Sequence, residues 1–142
     1  MWLLYHVPYT NNGVEYLRQS RLTCLGGGCV VTPRLRPLHF AVGGDGSIYE
    51  GRGWKAVGAH ASGYNSVSIG IVLIGDFVSQ LPLAHQLELT KELITVGVEL
   101  GYISKDYSLI GHRQVRSTEC PGDALFQEIT TWDRFDPTVN TN

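Results

Sequence analysis

The sequence predicts a single α/β domain in which helices flank a central, mostly parallel β-sheet. Its 142 residues suffice for one domain with a substantial core. Strand-like and helix-like segments interleave along the chain, as they do in α/β proteins. One run, SIGIVLIGDF at residues 68–77, is apolar throughout and typical of a strand buried on both faces.

Composition narrows the classes of function. Hydrophobic residues make up 43% and charged residues 17% of the chain, as in soluble globular proteins. A formal net charge of −2 does not indicate the excess of positive charge that is typical of proteins that bind nucleic acid or an anionic membrane. No apolar run approaches the roughly 20 residues that span a bilayer.

The first half of the chain contains three predicted strands and one helix. Residues 2–7 (WLLYHV) predict a buried strand, since the run is too short for a secretion signal and ends at Pro8. A short helix is predicted at residues 14–22. Strands at 38–42 and 47–50 flank the sequence Gly-Gly-Asp-Gly, whose Asp-Gly pair favours a hairpin turn.

The second half contains two strands and two helices. After the strand at 68–77, apolar spacing predicts a core-facing helix from Ala84 to Leu100 that stops at Gly101. Residues 107–111 predict another strand, and Pro121 is expected to begin the last helix. We expect one domain over residues 1–135, with a frayed tail at 136–142.

The three cysteines fall into two groups. Cys24 and Cys29 lie close together in a glycine-rich stretch, and either a disulfide or two free thiols fits them. Cys120 stands apart and is therefore free, metal-bound or catalytic.

His112 and Cys120, eight positions apart, are a candidate pair of zinc ligands. Imidazole and thiolate suit zinc, and a catalytic zinc needs a third protein ligand beside an open position. A histidine and a cysteine at this spacing are more often a surface histidine beside a buried free cysteine. The remaining histidines offer the third ligand: His6, His39, His60 and His85.

Several sequence blocks, in order, resemble the animal peptidoglycan recognition proteins. They are GGDGSIYEGRGW at 43–54, VGAH at 57–60, GYNS at 63–66, SIGI at 68–71, LIGHRQV at 109–115 and TECPG at 118–122. The resemblance covers residues 38–132, whereas residues 8–37 diverge. It implies an amidase-like fold and a similarity to zinc-dependent N-acetylmuramoyl-L-alanine amidases, which cut the bond between N-acetylmuramic acid and L-alanine.

The resemblance also implies roles for individual residues. His112 and Cys120 fall on two zinc ligands, and His6, at the end of the first strand, falls on the third. Thr118 falls where amidases place a polar group that stabilises an oxyanion, although a threonine capping a turn fits equally well.

A ligand groove is implied as well, lined by Arg52, Trp54, His60, Tyr64 and Asn65. Aromatic faces suit sugar rings and stem peptide, and an arginine suits a carboxylate. The alternative is that Trp54 belongs to the core and Arg52 is solvated.

Leu38 departs from the family pattern. Active members carry a tyrosine at this place, in a Tyr-Asn-Phe stretch that is Leu38-His39-Phe40 here. Leucine can neither donate nor accept a hydrogen bond, and losing one positioned bond of this kind costs about 10²–10³ in rate. His39 is expected to face the opposite side of a regular strand.

Two functions follow as hypotheses. The first is a zinc-dependent amidase that hydrolyses peptidoglycan in innate immunity, and the second is a non-catalytic receptor module that binds peptidoglycan. Expected partners are peptidoglycan or muropeptides, with self-association or an immune signalling protein as a further partner. The resemblance implies a secreted protein, with an intracellular form as the alternative.

Overall fold

The computed structural model describes residues 37–139 and the backbone of residues 3–6. Five strands form one sheet in the order β3-β2-β4-β1-β5. Their bounds are β1 Leu3–His6, β2 Phe40–Val42, β3 Ile48–Glu50, β4 Ser68–Leu73 and β5 Ser108–Gly111. The α/β class is confirmed, and each predicted strand is present, although each is shorter than predicted.

The expected mostly parallel pairing is wrong for these strands. β2 and β4 pair in parallel, whereas β2–β3, β1–β4 and β1–β5 are antiparallel. The β2–β3 reversal follows from the hairpin turn, in which Gly46 adopts a positive φ of 80°. β1 lies between β4 and β5 and runs opposite to both, and this reversal has no signal in the residue pattern.

Two helices cover one face of the sheet. Helix α1, Ala84–Glu99, matches its prediction, and Gly101 beyond it adopts the positive φ (74°) expected of a glycine stop. Helix α2, Asp123–Ile129, begins two residues later than predicted from Pro121. Gly122 precedes it with φ 91°, where an added Cβ would lie 2.5 Å from the carbonyl oxygen of Phe77.

Alternation along the strands divides the core between the two faces. Ile69, Ile71 and Leu73 of β4 pack with both helices in the main hydrophobic cluster. Val72, between them, packs on the other face in a smaller cluster with Leu38 and Ala41. This other face, which we call the site face, carries the histidines described below.

Two buried glutamines, for which the sequence predicted no role, form hydrogen bonds with the backbone at the ends of strands. The amide of Gln86 on α1 donates to the carbonyl oxygens of Val42 and Ile74, at 3.0 and 3.1 Å. Gln114 accepts from the backbone N–H of Gly111 at 2.8 Å. Each satisfies backbone groups where a strand ends.

Some predictions fall outside the described residues, namely the helix at 14–22 and the pairing of Cys24 with Cys29. The domain boundary at 135 stays a prediction. Among the residues searched, the structure contains no helix with the length and apolar character needed to cross a membrane.

Candidate functional site

His39 lies immediately before β2 and is 1% exposed. Its Nδ1 accepts a hydrogen bond from the Gly70 N–H at 2.9 Å, so the ring proton is on Nε2, which donates to the Ala56 carbonyl at 2.9 Å. Burial lowers the pKa of His39 to about 4, with a smaller contribution from Arg52, while the bond to Ala56 opposes the shift. His39 is therefore a neutral bridge between β4 and the segment that follows β3.

His60 is seated against His39 on the site face. The two ring centroids are 5.3 Å apart in an edge-on arrangement. Gly58 and Gly70 leave room for the His60 ring, since an added Cβ at either position would lie 2.3 or 2.7 Å from its Cδ2 atom. Burial and, to a smaller extent, the neighbouring His39, His112 and Arg52 together lower the pKa of His60 to about 4.

The predicted groove residues Tyr64 and Asn65 hold the turn that carries His60. The Asn65 Oδ1 atom accepts from the backbone N–H groups of His60 and Ala61, both at 2.7 Å. Tyr64 is half-buried against the cluster that contains Ala61 and Ile110. The Asn65 hydrogen bonds therefore fix the conformation of the turn, and the packing of Tyr64 fixes its position on the site face.

Arg52 lies close to the same two histidines. Its Nη1 atom donates to the carbonyl of Val57 at 2.5 Å, and the residue is exposed. Its charge contributes to the lowered pKa of both His39 and His60. All five predicted groove residues lie in one segment, residues 51–65, and four of them, Arg52, His60, Tyr64 and Asn65, lie around the buried imidazoles.

Trp54, the fifth predicted groove residue, lines a small cavity with His39 and Asn65 but packs mainly on the other side. It packs against the main cluster on the helix face, with its ring 4.4 Å from that of Phe40 and stacked at 5.6 Å on Tyr102. An added Cβ at Gly97 of α1 would lie 2.8 Å from the indole. These contacts are those of a core residue, and a role for Trp54 in ligand binding stays a prediction.

His112 and Cys120 begin and end a closed loop after β5. His112 starts a 3-10 turn, and the Arg113 N–H donates to the Cys120 carbonyl at 2.9 Å. Arg113 also donates to the Glu119 carbonyl and to Asp123, the latter at 2.7 Å. The loop thus holds an imidazole and a thiol of the kinds that bind zinc.

Thr118 and His112 have further contacts within this region. The Thr118 hydroxyl oxygen accepts from the Cys120 N–H at 3.3 Å, which is the turn-capping contact that the sequence offered as one alternative. Burial lowers the pKa of His112, and a hydrogen bond with the backbone of His60 opposes that shift. His112 therefore adjoins the 51–65 segment.

The third predicted zinc ligand, His6, is the last residue of β1. Its backbone pairs with Ser108 of β5, whereas His112 follows Gly111 at the other end of that strand. The assignment of His6 as a zinc ligand stays a prediction.

Other described residues do not complete a zinc site. Within residues 37–139, no group of three histidine, cysteine, aspartate or glutamate side chains could hold a metal ion. His85, one of the remaining histidines, contacts the Gly44 carbonyl at 2.9 Å. The ligand set that the sequence predicts stays a prediction.

Leu38 is 4% exposed and packs with Ala41 and Val72 on the site face. The strand begins at Phe40, so Leu38 and His39 lie before it. The strand alternation that was expected to place these two side chains on opposite sides therefore does not apply to them. Both side chains are buried, and neither adds a hydroxyl to the site. The bridging role of His39 was missed because its partners, Ala56 and Gly70, are backbone groups distant in sequence.

Comparison with known proteins gives a consistent family. The family described as N-acetylmuramoyl-L-alanine amidase matches residues 6–123. Peptidoglycan-recognition protein LB of Drosophila melanogaster is 56% identical over 96 residues, which are 68% of this chain and 41% of the relative. A human N-acetylmuramoyl-L-alanine amidase is 45% identical over 101 residues, which are 70% of this chain and 18% of the relative.

A solved structure resembles the fold as well. Peptidoglycan recognition protein-LE, crystallised with tracheal cytotoxin, a monomeric diaminopimelic acid-type peptidoglycan, has a TM-score of 0.69 and 55% identity. The match covers 70% of this chain and 58% of that one. This chain spans less than half the length of the two curated relatives.

Proposed function

Because the chain belongs to the N-acetylmuramoyl-L-alanine amidase family, with the peptidoglycan recognition proteins among its relatives, we propose that it binds bacterial peptidoglycan. The observation that carries this proposal is the 51–65 segment, where Arg52, His60, Tyr64 and Asn65 surround one part of the site face. The likeness to a protein crystallised with a peptidoglycan fragment supports it.

The chemistry of this segment suits a muropeptide. Tyr64 is half-buried and offers an aromatic ring for contact with sugar or peptide. Arg52 is exposed and can pair with a stem-peptide carboxylate. His60 is neutral near pH 7 because its pKa is lowered to about 4, so it offers a hydrogen-bonding group without a buried charge.

Zinc-dependent amidase activity is the second candidate. The loop that joins His112 to Cys120 favours it, since the Arg113–Cys120 and Thr118–Cys120 bonds hold this part of the chain together. The activity requires a third zinc ligand, for which the sequence proposes His6, and the family pattern implies a tyrosine hydroxyl at the place that Leu38 occupies here. We therefore place peptidoglycan binding first and catalysis second.

The location and the biological role of the protein are part of the same proposal. The resemblance supports an extracellular protein that acts in innate immunity, with an intracellular form as the alternative. Self-association or an immune signalling protein would transmit the binding event in a non-catalytic role.

Cosedimentation with purified, insoluble peptidoglycan tests the proposal. We expect the protein to sediment with peptidoglycan and His60→Ala to remain in the supernatant. His85→Ala is the matched control, since His85 lies outside the 51–65 segment and contacts Gly44. Failure of the folded wild-type protein to sediment would refute the binding function.

The same samples decide between the two candidates. Zinc content is measured by elemental analysis, and released muropeptides are measured by mass spectrometry. We expect binding without release. One zinc per chain together with release that Cys120→Ser abolishes would instead establish the amidase.

A further inference from the structure

We propose that His39 is a positioning residue for peptidoglycan binding, which it serves by fixing residues 56–60 against β4 so that the His60 ring is held in one orientation. The inference rests on the proposed function and adds to it a residue that touches no ligand.

Both the backbone and the side chain of His39 join separate parts of the chain. Its N–H donates to the Gly70 carbonyl at 3.1 Å, and its own carbonyl accepts from Gly51 and Gly53 at 2.9 and 3.2 Å. Its ring nitrogens bond Gly70 and Ala56. One residue thus connects β4 to both the start and the middle of the 51–65 segment.

The bond to Ala56 controls where the rest of the segment lies. Ala56 is four residues before His60, and its carbonyl is held by a ring that is itself almost fully buried. On the far side of this point, the Ala59 N–H donates to the Pro37 carbonyl at 2.8 Å. The chain between residues 56 and 59 is therefore fixed at both ends.

The orientation of the His60 ring depends on the same arrangement because the ring packs against the His39 ring and against the backbone that His39 fixes. The His60 ring contacts the His39 ring edge-on, and it fills the spaces that Gly58 and Gly70 leave. A Cβ at Gly58 would also lie 2.7 Å from the Cε1 atom of His39, so the three groups are in close contact. Moving the Ala56–Gly58 backbone would therefore turn or release His60.

Two substitutions separate this role from ordinary packing. His39→Leu keeps an apolar side chain of similar bulk but removes both ring hydrogen bonds. His39→Gln places an amide nitrogen near the position of Nε2, from which it can donate to the Ala56 carbonyl. Val42→Ala is the matched control, since Val42 is equally buried on β2 but faces the helices.

Affinity for a soluble muropeptide is measured by calorimetry well below each melting temperature. We expect His39→Leu to weaken binding about tenfold, equivalent to about 1.4 kcal/mol, and His39→Gln to restore most of it. Val42→Ala should lower the melting temperature and leave the affinity unchanged. Wild-type affinity in His39→Leu, or an equal loss in Val42→Ala, would overturn the proposal.

A second readout keeps the two proposals distinguishable. The His60 ring signals in a ¹H–¹⁵N NMR spectrum should shift in His39→Leu and return in His39→Gln. If the wild-type protein binds no muropeptide, the proposed function fails, and these ring signals still test positioning. Unchanged His60 signals in His39→Leu would overturn the positioning role whatever the binding result.

Discussion

His39 and Gly70 are joined twice, by a hydrogen bond from the His39 N–H to the Gly70 carbonyl and by one from the Gly70 N–H to the His39 Nδ1 atom. The second bond determines the tautomer of the ring and directs its Nε2–H to Ala56. Gly70 also has no Cβ, which leaves space for His60. This pair therefore organises the site face, and the predictions below follow from it and its neighbours.

Gly70→Ala should weaken peptidoglycan binding because its Cβ would lie 2.7 Å from the Cδ2 atom of His60 and displace the ring. Ile94→Val is the control, since Ile94 is buried in the main cluster on the helix face. We expect Gly70→Ala to lose about 1–3 kcal/mol and Ile94→Val about 0.5–1.5 kcal/mol of stability, and only Gly70→Ala to lose affinity. Thermal melting and calorimetric titration measure the two effects; equal affinities in the two variants would contradict this prediction.

Stability should fall between about pH 6.5 and pH 4 because His39 has a pKa of about 4 when folded and an ordinary value of 6.5 when unfolded. In that window the unfolded chain binds the proton and the folded chain does not, so protonation favours unfolding. The full effect is on the order of 3 kcal/mol.

Urea unfolding at pH 7 and pH 4 checks this effect. His60 acts in the same direction, since its pKa is also about 4. His39→Gln should therefore reduce the fall in stability without removing it. Burial also lowers the pKa of His112, which acts in the same direction, whereas the lowered carboxyl pKa values of Asp45 and Asp136 reduce stability mainly below pH 4. An identical pH dependence in wild type and His39→Gln would show that His39 is protonated at its ordinary pKa.

Asn65→Leu should destabilise the turn at residues 60–65 because two backbone N–H groups would lose their shared acceptor. Each unsatisfied group costs about 1–3 kcal/mol where it is buried. Asn65→Asp keeps an acceptor in the same place and should retain most of the stability. Denaturant titration compares the variants, and equal losses would indicate that the Oδ1 contacts are unimportant.

Leu38→Tyr should create no amidase activity. Leu38 is packed against Ala41 and Val72, so a larger side chain there costs about 1–3 kcal/mol, and its hydroxyl would enter an apolar cluster. Muropeptide release from peptidoglycan is the measurement. Activity in this variant would show that a complete metal site exists and that the hydroxyl was the missing part.

The sequence predicted those elements whose signals are local. Apolar spacing and Gly101 located α1, and the Asp-Gly pair located the β2–β3 hairpin. The groove residues Arg52, His60, Tyr64 and Asn65 were named by the resemblance and not by a local pattern, and their role in binding stays a prediction. Local pattern was sufficient wherever the relevant contacts are close in sequence.

Features that depend on distant contacts were not predicted. The direction of β1, antiparallel to both of its neighbours, is set by pairing with strands about 65 and 105 residues away. Trp54 lies in the same stretch as the groove residues, yet it packs on the helix face. The alternation of side chains assigns the residues of a strand to its two faces. It does not show on which face of the sheet a residue in a turn will pack.

NMR titration of the ¹⁵N-labelled wild-type protein with a soluble muropeptide locates the binding surface. We expect saturable shifts of backbone amides between residues 52 and 65 and at His112, with little change at residues 85–92 of α1. An absence of shifts, or saturable shifts confined to α1, would contradict this expectation.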